Sequence, residues 1–260
     1  MVVDCHSHIR CVGLGQVDIS EHLESAEVVD RCIVLGSPDG PTEEVNNQLS
    51  QYVAKYEQKM VGFALIDPLN EPVNAKHVRA ATEKLGFKGI VLYCAQSGFH
   101  PAHTRAFQLY EAAQELHLPV FFHNTPVGPG GILEFARPFL LDEVARTFPS
   151  LKIIIGNMGF PFYDQTVCVL AKHENVYADM AVKPTNGWQV YRTVIAAYEQ
   201  GVMDKLIFGS AFPAARAQAC IEALLGFNKP VKEAGLPTVP RNLIQAAIER
   251  DTLKLLGIEK

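Results

Sequence analysis

The sequence lacks the features of a nucleic-acid-binding or membrane protein. Lys and Arg number 23 against 28 Asp and Glu, which gives a net charge of −5, and no basic run is present. A phosphate backbone requires a basic surface, so nucleic acid is not an expected partner. No apolar run approaches the roughly 18 residues of a membrane helix, and the opening MVVDCHSHIR turns polar at its fourth residue. We therefore expect no membrane association, no signal peptide and a cytoplasmic location.

Cysteine motifs are also missing. The six cysteines are scattered, at positions 5, 11, 32, 94, 168 and 220, and no CxxC pair occurs. Most of them lie inside apolar runs, which favours buried free thiols in a reducing compartment over paired cysteines.

What the sequence does contain is enough apolar residues, 48% of 260, to form a large core. Short runs rich in Val, Ile and Phe alternate with longer amphipathic stretches, with no repeat, linker or low-complexity segment between them. The predicted strands number eight: Met1–Cys5, Cys32–Gly36, Val61–Ile66, Gly89–Tyr93, Pro119–His123, Lys152–Gly156, Asn175–Ala178 and Lys205–Gly209.

A helix is predicted after each strand. The predicted helices are Ile19–Val29, Glu43–Gln58, Val73–Leu85, Thr104–Leu116, Phe139–Thr147, Tyr163–His173, Gly187–Gln200 and Ala214–Leu225. Strict alternation of strands and helices implies a parallel sheet, and eight units fit a closed (β/α)8 TIM barrel in a single α/β domain over residues 1–260. The tail from Pro240 to Gly257 predicts one extra C-terminal helix.

Candidate metal ligands lie at the carboxyl ends of two predicted strands, where the active site of such a barrel is found. The first strand ends in DCHSH, and residues two apart on a strand point to the same side, so His6 and His8 both point to the mouth. Asp4 shares their face in this alternation, at a deeper level. The fifth strand ends in VFFHN with His123. Converging imidazoles predict a divalent-metal site.

Taken together, six motifs resemble the amidohydrolase superfamily, in the amidohydrolase-related branch of TIM-barrel metal-dependent hydrolases and decarboxylases. They are DCHSH, GFKGIVLY, VFFHN, IIIGNMGFP, VYADMA and LIFGSAFP, and they span nearly the whole chain. The resemblance implies one divalent ion, most often Zn²⁺, on His6, His8 and His123.

The resemblance fails at two positions. The family has a histidine in GHxGxP on strand 6, where this chain has Asn157, and an aspartate in FGSDxP on strand 8, where it has Ala211. Both changes remove an ionisable group that the family uses in catalysis. General acid–base catalysis typically contributes about 10²–10⁴-fold to a rate, so the family's ordinary mechanism would leave this chain nearly inactive.

Three functions stay open at this point. Three histidines with water in the fourth position form a known catalytic zinc site, which supports a mononuclear metal-dependent hydrolase acting on a small organic substrate. A decarboxylase on the same metal platform is the first alternative. The second is an inactive binding protein, and the two replacements could also be deliberate alterations of a complete site.

Further side chains are candidates for the mouth of the barrel. Asp179 ends strand 7 and is a candidate catalytic residue beside Asn157, whereas Asp67 at the end of strand 3 more often caps a loop. Tyr93 and Cys94 end strand 4, and Cys94 acts as a nucleophile only beside a base. Asn124, Phe160 and Phe212 are the candidate substrate-binding residues, with Trp188 near them.

Other expectations are negative or general. Lys88 precedes strand 4 at the end away from the mouth, so a carbamylated lysine bridging two metals is rejected. The remaining histidines, at positions 22, 77, 100, 103, 117 and 173, are expected on the surface. A small-molecule substrate is the expected partner, and a homodimer is the expected assembly, since many barrels form one.

Overall fold

The computed structural model describes residues 1–9, 17–123 and 130–259. Its central element is one sheet of eight parallel strands in sequential order from β1 to β8. The strands are β1 Val3–Ser7, β2 Arg31–Leu35, β3 Met60–Leu65, β4 Gly89–Leu92, β5 Val120–Phe122, β6 Ile153–Ile155, β7 Val176–Asp179 and β8 Leu206–Ile207.

Helices connect the strands on the outside of this sheet. They are α1 Val17–Ala26, α2 Thr42–Lys55, α3 Ala75–Glu83, α4 Cys94–Ser97, α5 Thr104–Glu115, α6 Leu141–Thr147, α7 Tyr163–Lys172, α8 Gly187–Glu199, α9 Ala217–Gly226, α10 Asn228–Glu233, α11 Arg241–Ile248 and α12 Thr252–Leu255. Short 3₁₀ turns precede α6 and β8 and follow β6.

Backbone hydrogen bonds join the last strand region to the first. Cys5 N–H donates to Phe208 O at 2.9 Å, Ala211 N–H to His6 O at 2.7 Å and His8 N–H to Phe212 O at 2.9 Å. The sheet therefore curls round to its own first edge, and the prediction of a (β/α)8 TIM barrel is confirmed.

The core has two layers, as a barrel requires. An inner cluster fills the barrel and includes Val3, Ile33, Phe63 and Phe121, while a larger outer cluster lies between strands and helices. Nearly every strand residue is buried, because a parallel sheet covered on both faces leaves neither face to water. This explains the continuous apolar runs of the sequence.

The element bounds differ from the predictions mainly at strand 1 and in the tail. β1 runs two residues further than predicted, to Ser7, so His6 lies inside the strand. The tail after Pro240 forms two helices, α11 and α12, where one was predicted. Asp251 lies between them and starts α12 as its N-cap, since its Oδ1 accepts from Lys254 N–H at 3.1 Å.

Two further expectations can be compared with the described residues. Among them, no helix has the length and apolar character to cross a membrane. Four of the cysteines, Cys5, Cys32, Cys94 and Cys220, are buried free thiols, whereas Cys168 is exposed. Cys11 lies outside the described residues.

Candidate metal centre

The first strand carries an irregularity that sets the direction of its histidines. The register of β1 against β2 shifts between Asp4 and Ser7, which marks a bulge. Asp4 pairs with Cys32, a member of the outer, helix-facing cluster, whereas the His6 ring packs edge-on against Phe121 inside the barrel, 5.0 Å between centroids. The expectation that Asp4 and His6 share a face is therefore wrong, since a bulge reverses the alternation.

Three histidines converge at the carboxyl end of the barrel. His6 Nε2 lies 3.1 Å from His8 Nε2 and 3.1 Å from His123 Nε2, and the last two nitrogens are 3.2 Å apart. Nitrogens bound to one ion at about 2.1 Å lie roughly 3.0–3.4 Å from each other, so the triangle has the size of a set of three ligands on one metal. Of the described residues, only these three form such a cluster.

Hydrogen bonds behind the triangle determine which ring nitrogens carry protons. His6 Nδ1 lies 2.9 Å from Asp179 Oδ2, and His8 Nδ1 lies 3.4 Å from Leu35 O. A carboxylate and a carbonyl only accept, so both Nδ1 atoms carry the proton and, in the neutral rings, both Nε2 atoms present lone pairs. Two lone pairs 3.1 Å apart repel each other, and a shared cation relieves that repulsion. The residues therefore fit a divalent metal ion.

Burial favours the neutral rings that a metal requires. Desolvation by burial lowers the pKa of His8 from 6.5 to about 3. Desolvation also holds the pKa of His123 well below its usual range, and the Tyr93 ring stacks on that imidazole at 4.5 Å. A low proton affinity leaves these nitrogens available as ligands at neutral pH.

Asp179, predicted as a catalytic residue, lies directly behind His6. Both side chains are fully buried, and the carboxylate also accepts from the backbone N–H of Asn157 at 3.0 Å and of Ala181 at 2.7 Å. A carboxylate behind a ligating histidine fixes the ring orientation and raises its basicity. With three donors around it and no exposure to solvent, Asp179 is placed to position His6.

The histidines open into a cavity of about 450 Å³. Its wall includes Tyr93, Gln96 and Ala211, and one carboxylate, Asp39, in the loop after β2. Asp39 is exposed, and its Oδ2 accepts from Ser37 Oγ at 2.6 Å. Sequence reasoning missed Asp39 because it lies four residues beyond its strand, in a loop whose course a sequence does not give.

The two positions without an ionisable side chain adjoin this cavity. Asn157 and Ala211 both have left-handed backbone conformations, with φ of 52° and 54°. Ala211 lines the histidine cavity, whereas Asn157 lines a neighbouring one, and its buried Oδ1 has no hydrogen-bond partner among the described residues. Neither residue supplies an acid or a base, as the sequence predicts.

That neighbouring cavity, the side cavity from here on, has a volume of about 340 Å³. Its wall shares Ala211 and Ala214 with the histidine cavity. The other lining residues come from the ends of β6, β7 and β8 and from the start of α8: Asn157, Phe160, Ala181, Val182, Lys183, Asn186, Gln189 and Ser210.

The three predicted substrate-binding residues separate in the structure. Phe160 lines the side cavity. Phe212 is buried with its ring against His22, 5.2 Å between centroids, and does not line either cavity. Asn124 lies outside the described residues. Trp188 is 62% exposed and stacks on Tyr191 rather than on either cavity.

The remaining candidates have structural contacts. Asp67 accepts from Leu69 N–H at 2.9 Å and Asn70 Nδ2 at 2.8 Å, so it caps its loop. Burial raises the pKa of Cys94, which therefore is no ready nucleophile. Asp4 accepts from Ser210 Oγ at 2.6 Å and ties the strand-8 motif to β1. Lys88 precedes β4 at the end away from the mouth, as predicted.

His22 contradicts the expectation of a surface residue. It is 1% exposed, its Nδ1 lies 2.6 Å from Tyr52 Oη, and burial lowers its pKa from 6.5 to about 4. The sequence predicts that His22 lies on a helix. The structure shows that it lies on the face of α1 that packs against the protein.

Comparison with known proteins agrees with this architecture. The sequence model of the amidohydrolase family matches residues 39–239, and no curated protein matches the chain. The similar solved structures include a probable hydrolase and several decarboxylases, one of them with bound manganese.

Three solved structures illustrate the similarity. A probable 2-pyrone-4,6-dicarboxylic acid hydrolase from Acinetobacter baumannii, with citric acid bound, has a TM-score of 0.70 and 14% identity over 98% of this chain and 99% of that one. The 5-carboxyvanillate decarboxylase from Sphingomonas paucimobilis has a TM-score of 0.70 and 11% identity over 98% of each chain. A dihydroxybenzoic acid decarboxylase from Polaromonas sp., with manganese and 2-nitroresorcinol, has a TM-score of 0.69 and 16% identity over 100% and 97%. At these identities the likeness concerns the fold.

Proposed function

Because the chain belongs to the amidohydrolase family, we propose that it is a mononuclear metal-dependent hydrolase of a small organic substrate. The observation that carries the proposal is the triangle of Nε2 atoms on His6, His8 and His123, with sides of 3.1–3.2 Å. These three side chains would hold the ion, and we propose zinc. When bound, the ion polarises a substrate oxygen as a Lewis acid.

The other residues of the centre have separate roles in this proposal. Asp179 holds the His6 ring by accepting a hydrogen bond from its Nδ1–H. With the proton on Nδ1, the Nε2 atom of the neutral ring carries a lone pair. Tyr93 stacks on His123, and its hydroxyl donates to Gly36 O at 2.9 Å, so the ring is fixed in place. Both contacts hold the histidine rings in the orientation that the ion requires before an ion or a substrate binds.

Hydrolysis also needs an acceptor for the proton that water loses. Neither Asn157 nor Ala211 accepts one at neutral pH, and Asp179 already accepts three hydrogen bonds out of reach of solvent. Of the described residues in the wall of the histidine cavity, Asp39 is the one carboxylate. We propose that Asp39 accepts this proton and passes it to solvent, to which it is exposed.

A decarboxylase is the second candidate. What favours it is the absence of an ionisable group at positions 157 and 211, because removal of CO₂ requires no base for water. In addition, four of the similar solved structures are described as decarboxylases. Both reactions would use the same three histidines and the same ion. One screen of the metal-loaded protein can therefore distinguish them by their products.

The test uses zinc- and manganese-loaded protein against a panel of lactones, esters and hydroxybenzoates. Hydrolysis is followed by proton release and decarboxylation by CO₂ release. We expect hydrolysis of at least one substrate, with a rate about 10²–10⁴-fold lower in Asp39→Asn at unchanged metal content. Asp204→Asn, at the opposite end of the barrel before β8, is the matched control and should keep full activity. CO₂ release alone supports the decarboxylase, and metal-loaded protein without either reaction contradicts both.

A further inference from the structure

The side cavity lies next to the candidate metal centre and is lined by one charged residue among those that the structure describes. Lys183 is the only charged residue among the described residues that line this cavity. It takes part in none of the ion pairs of the part of the chain that the structure describes. Its backbone N–H donates to Gln189 Oε1 at 3.2 Å, which anchors the loop after β7 to helix α8. The Lys183 side chain is exposed to solvent, and with no ion-pair partner among the described residues it gives the wall of the cavity one positive charge.

Amide side chains line the same cavity as Lys183. Gln189 is 8% exposed, and its Oε1 accepts from the backbone N–H of Lys183. The Oδ1 of Asn186 accepts from Gln189 N–H at 3.1 Å. The NH₂ groups of both side chains therefore remain as donors. Asn157 adds a third amide, whose buried oxygen has no partner among the described residues. Buried polar groups are normally paired, and an amide oxygen accepts, so this atom calls for a hydroxyl or N–H donor of the ligand in addition to the carboxylate.

The common wall of the two cavities explains how one molecule could occupy both. Ala211 and Ala214 belong to both linings. An aspartate at position 211 would put a carboxylate in that wall and repel an anion, whereas alanine leaves it small and neutral. Alanine at position 211, where the resemblance implies an aspartate, thus makes the shared wall of the two cavities compatible with a negatively charged ligand.

We propose that the side cavity is a subsite for a carboxylate of the substrate, bound by Lys183 and the amides of Asn186 and Gln189, while the reacting group lies at the three histidines. One ammonium group balances one negative charge, and amide N–H donors suit its two oxygens. The proposed substrate class is a small molecule with a reactive carbonyl or carboxyl group and a second carboxylate. This inference rests on the proposed function for the location of the reacting group.

The test measures binding rather than turnover. Dissociation constants of benzoate, benzene-1,3-dicarboxylate and benzene-1,4-dicarboxylate are determined by calorimetry on zinc-loaded protein. We expect at least one dicarboxylate to bind about tenfold more tightly than benzoate. In Lys183→Met this preference should fall to about one with benzoate affinity unchanged, because only the second carboxylate contacts Lys183. Lys76→Met, on the distant helix α3, is the matched control and should keep the preference.

Two results would overturn the subsite. One is a dicarboxylate preference that Lys183→Met leaves intact, and the other is no preference in the unaltered protein. The double variant His6→Ala/His8→Ala separates this proposal from the proposed function. If dicarboxylate binding is the same with and without the histidines and is still weakened by Lys183→Met, the subsite stands and the metal-dependent function fails.

Discussion

At the scale of single residues, position 211 has a backbone that alanine rarely adopts. Its φ of 54° lies in the left-handed region, which costs most L-residues roughly 1–2 kcal/mol and which Asp and Asn tolerate better. The N–H of Ala211 donates to His6 O at 2.7 Å, so the barrel closure holds this conformation. The backbone therefore still has the form suited to the aspartate of the family motif.

Ala211→Asp should consequently be accepted without loss of stability. We expect a melting temperature within about 2 °C of the unaltered protein, since the new side chain suits the left-handed backbone and lines an open cavity. The carboxylate adds a negative charge beside the three histidines, and we expect zinc affinity to rise at least tenfold, measured by competition with a chelator.

The matched control is Ala214→Asp, because Ala214 also lines both cavities but has an ordinary backbone. We expect a smaller gain in zinc affinity from it. Equal effects at the two positions would show that position 211 has no special relation to the ligands.

The buried His22 leads to a prediction about pH. Its folded pKa of about 4 lies below the ordinary value of 6.5, so the unfolded chain binds the proton more readily. The stability that neutral His22 contributes is therefore complete above pH 6.5, declines by about 1.4 kcal/mol per pH unit below it and is lost near pH 4. We expect the difference in unfolding free energy between metal-free protein and His22→Asn to show this slope in urea titrations, and a pH-independent difference would contradict it.

These residues differ in how far a sequence reveals them. His6, His8 and His123 were predictable, because strand ends of a parallel barrel meet at one mouth and an HxH pair sends both rings there. Asp39 and Lys183 were not, since both lie in loops after their strands. The burial of His22 depends on the helix face that packs inward.

At the scale of elements, the strand-8 motif must approach the histidine strand closely. A Cβ built on Gly209 would lie 2.9 Å from His6 Cβ and 3.3 Å from Asp179 Cβ. Only glycine lets this segment pass the His6–Asp179 pair, so the spacing of the metal ligands depends on it.

Gly209→Ala should therefore disturb both stability and the metal site. We expect about 1–3 kcal/mol lower stability in denaturant unfolding, because the methyl group forces His6 from its position, and at least tenfold weaker zinc binding. Gly226→Ala in α9 is the matched control, since no atom lies within 4 Å of its new Cβ. Unchanged zinc affinity in Gly209→Ala would show that the close approach does not set the ligand geometry.

The elements themselves were largely predictable. Helices α5, α7 and α8 begin at the predicted residues, because their amphipathic patterns are long and regular. The bulge in β1 was not predictable, since two-residue alternation assumes an uninterrupted strand, and it reverses the side of Asp4.

At the scale of the whole molecule, a barrel of the amidohydrolase family brings three histidines together, while positions 157 and 211, where the resemblance implies a histidine and an aspartate, have no ionisable side chain. The eight strands and their order followed from the alternation of apolar runs with amphipathic ones. The cavities did not, because they depend on how eight separate loops pack above the strands. The proposed function depends on the binding of one metal ion by the three histidines.

The most direct test is the metal content of protein purified without chelator, with zinc added afterwards, followed by the melting temperature. We expect about one ion per chain, lost in His6→Ala/His8→Ala and kept in the control His77→Ala/His103→Ala, where His77 lies on α3 and His103 caps α5. Because a ligand that binds only the folded state stabilises it, zinc at 100 times its dissociation constant should add about 2.7 kcal/mol in the unaltered protein alone. Equal metal content in the double variant and the unaltered protein, or none in either, would contradict the claim.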